Sequence, residues 1–226
     1  MPPLRLVLYD PTDDRPVTAW LGARVSPNPD GTSSAAAPGL SPAWYAGTLL
    51  HRLTRAADAA LGARSWAEAL TWATRTAQER RRPIGSLQVW GHGGWGFMLL
   101  GKTRLDEGAL QPDHALAPLL DAFRAQLTGP EAVVWLRCCS AFGAAEGRRF
   151  AVAASRRLGC RVAGHTYIIG PFQSGTHSVR PGQEPSWDPA EGVQHDTQGR
   201  PSSARWSGPF EPATVSCLRL GLPDDA

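Results

Sequence analysis

The sequence predicts an α/β fold in which a mostly parallel sheet lies between two helical layers, a three-layer α/β/α sandwich. Short apolar runs alternate along the chain with longer segments of helical periodicity. One run, residues 132–136, is apolar throughout, as expected of a parallel strand covered on both faces. The chain has 226 residues, of which 42% are hydrophobic and 19% charged, enough for one domain over residues 1–226.

The first strand is predicted at residues 4–9, where an apolar run ends at Asp10-Pro11. A loop rich in Pro, Asp, Gly and Ser then extends to about residue 40, with one short element expected around residues 17–25. Further strands are predicted at 86–90, 97–101, 132–136 and 161–164. The predicted core therefore spans about residues 4–170, followed by a long loop over about 171–212 and a closing edge strand over about 213–220.

Helices are predicted between these strands. Ser41-Pro42 is a typical helix start, and its inner face is expected to carry Leu49, Leu53, Ala57 and Leu61. A second helix is predicted from Ser65 to before Pro83, with an inner stripe of Trp66, Leu70, Ala73 and Ala77. Two more are predicted near residues 118–127 and 144–158.

Charge and composition argue against several classes of partner. The formal net charge is +3 and the arginines are dispersed, so a nucleic-acid partner is not expected. No apolar stretch approaches the roughly 20 residues of a membrane span, and no secretory signal is predicted. The four cysteines include an adjacent pair rather than a spaced disulfide framework, so we expect a cytoplasmic protein.

Two predicted strands end in residues that could act together in catalysis. Residues 86–90 lead into His92, and residues 132–136 lead into Cys139. Carboxyl ends of neighbouring parallel strands meet at one sheet edge, which is where open α/β sheets bind ligands. A histidine within reach of a thiol can take its proton and later return it to a leaving group. The amides of Gly93 and Cys139 could then form an oxyanion hole.

The segment from Leu87 to Gly170 resembles the caspase-like clan of cysteine peptidases, which includes caspases, gingipains, separases and bacterial CHAT-type peptidases. The resemblance is nearest to uncharacterised bacterial caspase-like domains. It depends on three motifs: residues 92–96 (His-Gly-Gly-Trp-Gly), the strand end Cys139-Ser140, and the helix segment 146–150. The histidine also precedes the cysteine by about 47 residues, close to the spacing of about 50 in caspases.

The resemblance implies a cysteine endopeptidase with a His–Cys dyad and no metal cofactor. His92 would be the base and Cys139 the nucleophile. The caspase pattern Q-A-C-[RQG]-G is absent, however, because this chain has Arg137-Cys138-Cys139-Ser140-Ala141. Cys138 therefore stays open as an alternative nucleophile, although alternation along a strand would turn the two thiols to opposite faces.

Other residues are candidates for a substrate pocket around the dyad. They are Arg137, Cys138 and Ser140 at the strand end, His165 after the next strand, and Trp187, Asp188 and Glu191 in the long loop. The two acidic residues suggest a basic side chain at the cleavage position. A zinc site of His165, His177 and Cys139 lacks the usual ligand spacing, and an esterase would need a G-x-S-x-G elbow.

The sequence leaves three functions open. The first is a caspase-like cysteine peptidase, expected to be bacterial, acting on a protein or peptide. The second is a catalytically inactive caspase-like module that binds a partner protein, for example in a bacterial assembly. The third is a thioester or acyl hydrolase that uses the same dyad.

Overall fold

The computed structural model describes residues 1–13 and 39–222. Its strands, in chain order, are β1 (Leu4–Tyr9), β2 (Ala59–Gly62), β3 (Ile84–Trp90), β4 (Gly93–Gly94), β5 (Phe97–Leu100), β6 (Thr103–Asp106), β7 (Val133–Arg137), β8 (Arg161–His165), β9 (Phe172–Gln173), β10 (Thr176–Val179), β11 (Val193–His195), β12 (Pro201–Ala204) and β13 (Val215–Ser216). The predicted loop over residues 14–38, including the element at 17–25, lies outside the described residues.

Six of these strands form a central sheet in the order β10-β8-β7-β3-β1-β2. The pairs β2–β1, β1–β3, β3–β7 and β7–β8 are parallel, and only β10 runs antiparallel to its neighbour β8. The prediction of a mostly parallel sheet is confirmed. The sheet also extends beyond the predicted core, because β10 lies within the segment predicted to be loop.

Four helices accompany the sheet in the described part of the chain: α1 (Ser41–Leu53), α2 (Trp66–Arg80), α3 (Ala117–Arg124) and α4 (Ala144–Leu158). The start of α2 follows from its capping residues. The Ser65 hydroxyl accepts the Glu68 N–H at 3.1 Å, and the Glu68 carboxylate accepts the Arg64 N–H at 2.7 Å. The predicted inner stripe of this helix is confirmed, since all four residues are buried.

The two faces of the sheet are packed differently. One face contributes the leucines of β1 together with Val89 and Leu136 to a large apolar core, which also holds Leu70 of α2, Phe123 of α3 and Phe150 of α4. The other face contributes Val7 and Trp90 to a smaller cluster beside α1. This arrangement is compatible with an α/β/α sandwich.

The predicted inner face of α1 was wrong. Leu53 is 82% exposed, Leu49 is exposed as well, and the helix instead buries Thr48 and His51. Of the other two predicted positions, Ala57 is buried after the helix ends and Leu61 is half-buried in β2.

Trp90 explains the orientation of α1. A Cβ on Gly47 would lie 2.4 Å from the Trp90 ring, so the helix approaches the sheet through a residue without a side chain. His51 packs edge-on against the same ring at 5.1 Å between centroids. The indole therefore occupies the space into which leucines of a conventional inner stripe would have packed.

The predicted closing edge strand was also wrong in extent and place. Only Val215–Ser216 is strand, and it pairs with β9 rather than with the central sheet. Arg137 holds the segment that follows: its guanidinium donates to the carbonyls of Cys217 at 2.8 Å and Arg219 at 3.0 Å. The chain end thus crosses the sheet face that α1 leaves open.

None of the helices in the described residues is long and apolar enough to cross a lipid bilayer.

Candidate active site

Two neighbouring strands of the sheet bring His92 and Cys139 to equivalent positions. In the parallel pair β3–β7, Trp90 is in register with Arg137. His92 and Cys139 each follow by two residues, so both leave the sheet at the same carboxyl edge. The edge predicted from sequence is therefore the edge at which the structure places both residues.

The two motifs also pack against each other. A Cβ on Gly93 would lie 2.6 Å from the sulfur of Cys138, so glycine is needed for this close approach. The Gly96 N–H donates to the Ala141 carbonyl at 3.1 Å. The turn between β4 and β5 is thereby fastened onto the chain that follows Cys139.

Asp13 is a partner of His92 that the sequence did not reveal. Nε2 of His92 lies 2.8 Å from Oδ2 of Asp13. Asp10 directs the chain there: its N–H donates to the Trp90 carbonyl at 2.9 Å, and its carboxylate accepts the Gly101 N–H at 2.9 Å. These bonds hold the chain leaving β1 beside the end of β3.

This contact decides which nitrogen of His92 could act as a base. An ionised carboxylate only accepts hydrogen bonds, so in neutral His92 the hydrogen is on Nε2, facing Asp13. Nδ1 then carries the lone pair. The ring packs against Trp44 in a T-shaped arrangement with 5.2 Å between centroids, and 39% of the His92 side chain is exposed.

Cys139 is half-buried and differs in surroundings from its neighbour. Cys138 is fully buried in the apolar core, on the side of the sheet that packs against α2 to α4. Burial raises the pKa of Cys139, against a smaller opposite effect of hydrogen bonds to its sulfur from the Ile169 N–H and its own N–H. Burial raises the pKa of Cys138 still further. In the described residues, no hydrogen bond joins Cys139 to His92.

Two backbone amides near the thiol are available to a ligand. The Leu99 N–H donates to the His92 carbonyl at 2.8 Å, and antiparallel pairs alternate, so Gly93 and Met98 form a pair without mutual hydrogen bonds. The Gly93 N–H therefore points away from β5. For the Cys139 N–H, the structure shows no acceptor other than its own sulfur among the described residues.

Arg137 and Ser140 are both buried and already bonded. The Arg137 guanidinium also donates to the side chains of Gln173 at 2.8 and 3.0 Å and Gln88 at 3.0 Å, so all five of its N–H groups are used. Burial lowers the pKa of Arg137 to about 10. Ser140 donates its N–H to the Tyr167 carbonyl at 2.8 Å and has φ of 46°, a strained conformation beside the thiol.

His165 is fully buried rather than in the cleft. Its Nε2 accepts a hydrogen bond from the indole N–H of Trp135 at 3.2 Å, and its Nδ1 lies 3.3 Å from the hydroxyl of Thr176. Burial, with a smaller effect of Arg137, lowers the pKa of His165 to about 3. This histidine is therefore neutral and connects β7, β8 and β10.

The three loop candidates lie in a separate cluster. Trp187 is buried, stacks on Phe142 at 5.5 Å and donates its indole N–H to the Phe142 carbonyl at 3.0 Å. Glu191 accepts from His177 at 2.7 Å and from the Thr166 hydroxyl at 2.7 Å.

Asp188 is exposed, and its carboxylate accepts the Ala190 N–H at 2.7 Å within its own turn. These contacts fasten the loop over residues 185–192 to the sheet edge, and they occupy both of the acidic groups that suggested a basic cleavage position.

The described residues contain no group of three or more His, Cys, Asp or Glu side chains placed to hold a metal ion. The chain matches no protein-family model, and no curated protein matches it in sequence.

Proposed function

We propose that this protein is a caspase-like cysteine peptidase in which Cys139 is the nucleophile, His92 the base and Asp13 the residue that orients the base. One observation carries the proposal. His92 is held by a carboxylate at 2.8 Å, at the strand-end position that matches Cys139 on the neighbouring strand. A base oriented by a third group beside a nucleophile is the arrangement that activates thiols.

The proposed reaction begins with a protonated thiol, because burial raises the pKa of Cys139 above its ordinary value. Nδ1 of His92 takes the thiol proton as the sulfur attacks the peptide carbonyl, and Asp13 stabilises the imidazolium through Nε2. The same proton then passes from His92 to the leaving amine. Water, deprotonated by His92, hydrolyses the thioester and releases the acid and the free thiol.

The tetrahedral intermediate carries a negative oxygen that needs donors. The Gly93 N–H is turned away from its hairpin partner and the Cys139 N–H has no backbone acceptor in the described part of the chain. Both amides belong to the edge where the attack takes place. They support an oxyanion hole, whose donors contribute roughly 2.7–4 kcal/mol each to such reactions.

Cys138 is less suited to the reaction than Cys139. Its side chain is fully buried and faces Gly93 and the apolar core, whereas Cys139 is half-buried on the other side. All four cysteines are free thiols, which supports a reducing compartment such as the cytoplasm.

The test is alkylation by iodoacetamide at neutral pH, with the modified residue identified by peptide mass. We expect labelling at Cys139, a large loss of rate in His92→Ala, and no label at that position in Cys139→Ser. Cys217→Ser is the matched control, because Cys217 is another half-buried thiol. Labelling of Cys139 at an equal rate with and without His92 would contradict an activated dyad.

A non-catalytic caspase-like module is the second candidate. It is favoured by the raised pKa of Cys139 and by the exposed leucines of α1, which offer an apolar surface to a partner protein. In that case Cys139 would label slowly and independently of His92. A thioester hydrolase would instead show the activated dyad, and would cleave small thioesters while leaving peptides intact.

A further inference from the structure

The chain that follows β8 forms one wall beside the proposed nucleophile. Ile168 donates its N–H to the Arg205 carbonyl at 2.8 Å and accepts the Ser207 N–H at 2.8 Å. Both of its backbone groups therefore face the segment that contains Trp206. The preceding residue faces the proposed nucleophile, because the Tyr167 carbonyl accepts the Ser140 N–H at 2.8 Å. This chain therefore lies between the segment that contains Trp206 and the residue that follows Cys139.

Three aromatic side chains in the segments that form this wall are exposed to solvent. Trp206, beside Ile168, is 69% exposed, and Phe210 follows it fully exposed. Phe172 is exposed too, because Gln173 turns inward to accept from Arg137 and the preceding side chain must point outward. We call Phe172, Trp206 and Phe210 the aromatic surface.

Three charged groups near this surface already have partners within the protein. Glu191 binds His177 at 2.7 Å, and Glu211 binds Arg205 at 3.2 Å. Arg137 is buried with every N–H group used. These charged groups are therefore committed to partners within the protein, whereas the large apolar side chains of the wall are exposed to a ligand.

We propose that the aromatic surface binds an apolar, preferably aromatic, side chain of a peptide substrate. That side chain belongs to the residue that carries the scissile carbonyl or to the residue before it. The inference rests on the proposed peptidase function, and it replaces the basic cleavage position suggested by the acidic residues of the sequence. Desolvating an aromatic side chain against Trp206 is the source of the selectivity.

The test compares peptidyl chloromethyl ketones of the form acetyl-Ala-Ala-X and acetyl-Ala-X-Ala, with X as Phe, Leu, Ala, Arg or Asp. The rate of covalent labelling at Cys139 is measured by intact mass and divided by the iodoacetamide rate of the same variant. In one of the two series we expect Phe to exceed Arg and Asp by about tenfold or more.

Trp206→Ala and Phe172→Ala should each reduce the preference for Phe, and Trp206→Ala should bring it within about twofold of Ala. Leu53→Ala is the matched control, because Leu53 is another exposed apolar side chain, on α1. It should keep the full preference.

The outcomes separate the two proposals. Fastest labelling by Arg or Asp in both series, or a preference for Phe that survives both aromatic substitutions, would overturn the aromatic surface as a substrate site while leaving the dyad intact. Iodoacetamide labelling that does not depend on His92 would overturn the peptidase itself, and the substrate inference with it.

Discussion

Two histidines of the chain hold a carboxylate at almost the same distance, and their surroundings set them apart. Nε2 of His92 lies 2.8 Å from Asp13, and Nε2 of His177 lies 2.7 Å from Glu191. The side chain of His92 is 39% exposed, whereas that of His177 is 18% exposed. A short His–carboxylate contact therefore does not by itself identify a catalytic base.

The neighbours of each ring show the difference. His177 stacks on Trp187 at 4.8 Å with the rings nearly parallel, and Glu191 is also tied to Thr166. His92 meets Trp44 only by an edge and shares its sheet end with Cys139. The first pair fastens a loop to the sheet. In the second pair, Nδ1 of His92 has no hydrogen-bond partner among the described residues, as the proposed role of a base requires.

The largest expected difference between the pairs is in catalysis. His92→Ala should lower kcat/KM for a cleaved peptide by about a thousandfold, because general base catalysis contributes roughly 10²–10⁴. His177→Ala should change it by less than about threefold, since its ring is committed to Trp187 and Glu191. The measurement is peptide hydrolysis at neutral pH with variants confirmed as folded by circular dichroism. Equal losses in the two variants would remove the distinction.

The two carboxylates that hold these histidines should differ in the same way: a substitution of Asp13 should slow labelling of Cys139, and one of Glu191 should not. In Asp13→Ala the acceptor that holds the Nε2 hydrogen of His92 is lost, so the ring can turn and its hydrogen can move to Nδ1, which removes the lone pair that would accept the thiol proton. We expect iodoacetamide labelling of Cys139 to slow by about tenfold or more. Glu191→Ala should leave the rate unchanged. A normal rate in Asp13→Ala would show that Asp13 only positions the chain.

Much of this site could be predicted from sequence because it depends on strand order and register. Residues 132–136 are apolar throughout, as expected of a parallel strand beside the one predicted at 86–90, so the sequence predicts His92 and Cys139 at one edge of the sheet. Asp13 was not predictable in this way. It follows a strand end by a few residues and meets His92 across 79 positions of sequence, a tertiary contact that no local pattern encodes.

The failures at α1 and at the loop candidates have one physical origin. Hydrophobic periodicity predicts which residues share one face of a helix, but packing against the rest of the fold decides which face is buried. Gly47 in mid-helix was the available signal, because a helix interior has little other use for glycine and here it admits Trp90. Likewise, Glu191 was identified as acidic, but its partner His177 belongs to β10, a strand that the sequence did not predict.

For stability we expect the opposite order, with a larger loss of unfolding free energy in His177→Ala than in His92→Ala. His177→Ala leaves Oε1 of Glu191 with the Thr166 hydroxyl as its remaining side-chain donor and removes a ring stacked on Trp187. We expect a loss of about 1–3 kcal/mol in the free energy of unfolding. His92→Ala should cost less than about 1 kcal/mol, since its ring is more exposed. Urea denaturation at neutral pH measures both, and a larger loss in His92→Ala would contradict the structural role of His177.

The smallest expected effect is the pH dependence of the loop pair. Burial alone would raise the pKa of Glu191, but hydrogen bonds from His177 and Thr166 outweigh it and lower that pKa below the ordinary value of 4.5. A depressed pKa in the folded state gives stability that is present above pH 4.5 and is lost as pH falls through the folded-state pKa.

Between pH 7 and pH 3.5, the wild type should therefore lose more unfolding free energy than Glu191→Gln, by less than about 1 kcal/mol. The other carboxylates titrate equally in both proteins and cancel in the difference. Urea denaturation at the two pH values gives the comparison. Identical losses would mean that the Glu191 anion is no more stable in the folded protein than in the unfolded chain. The loop would then be held by the stacking of His177 on Trp187 alone.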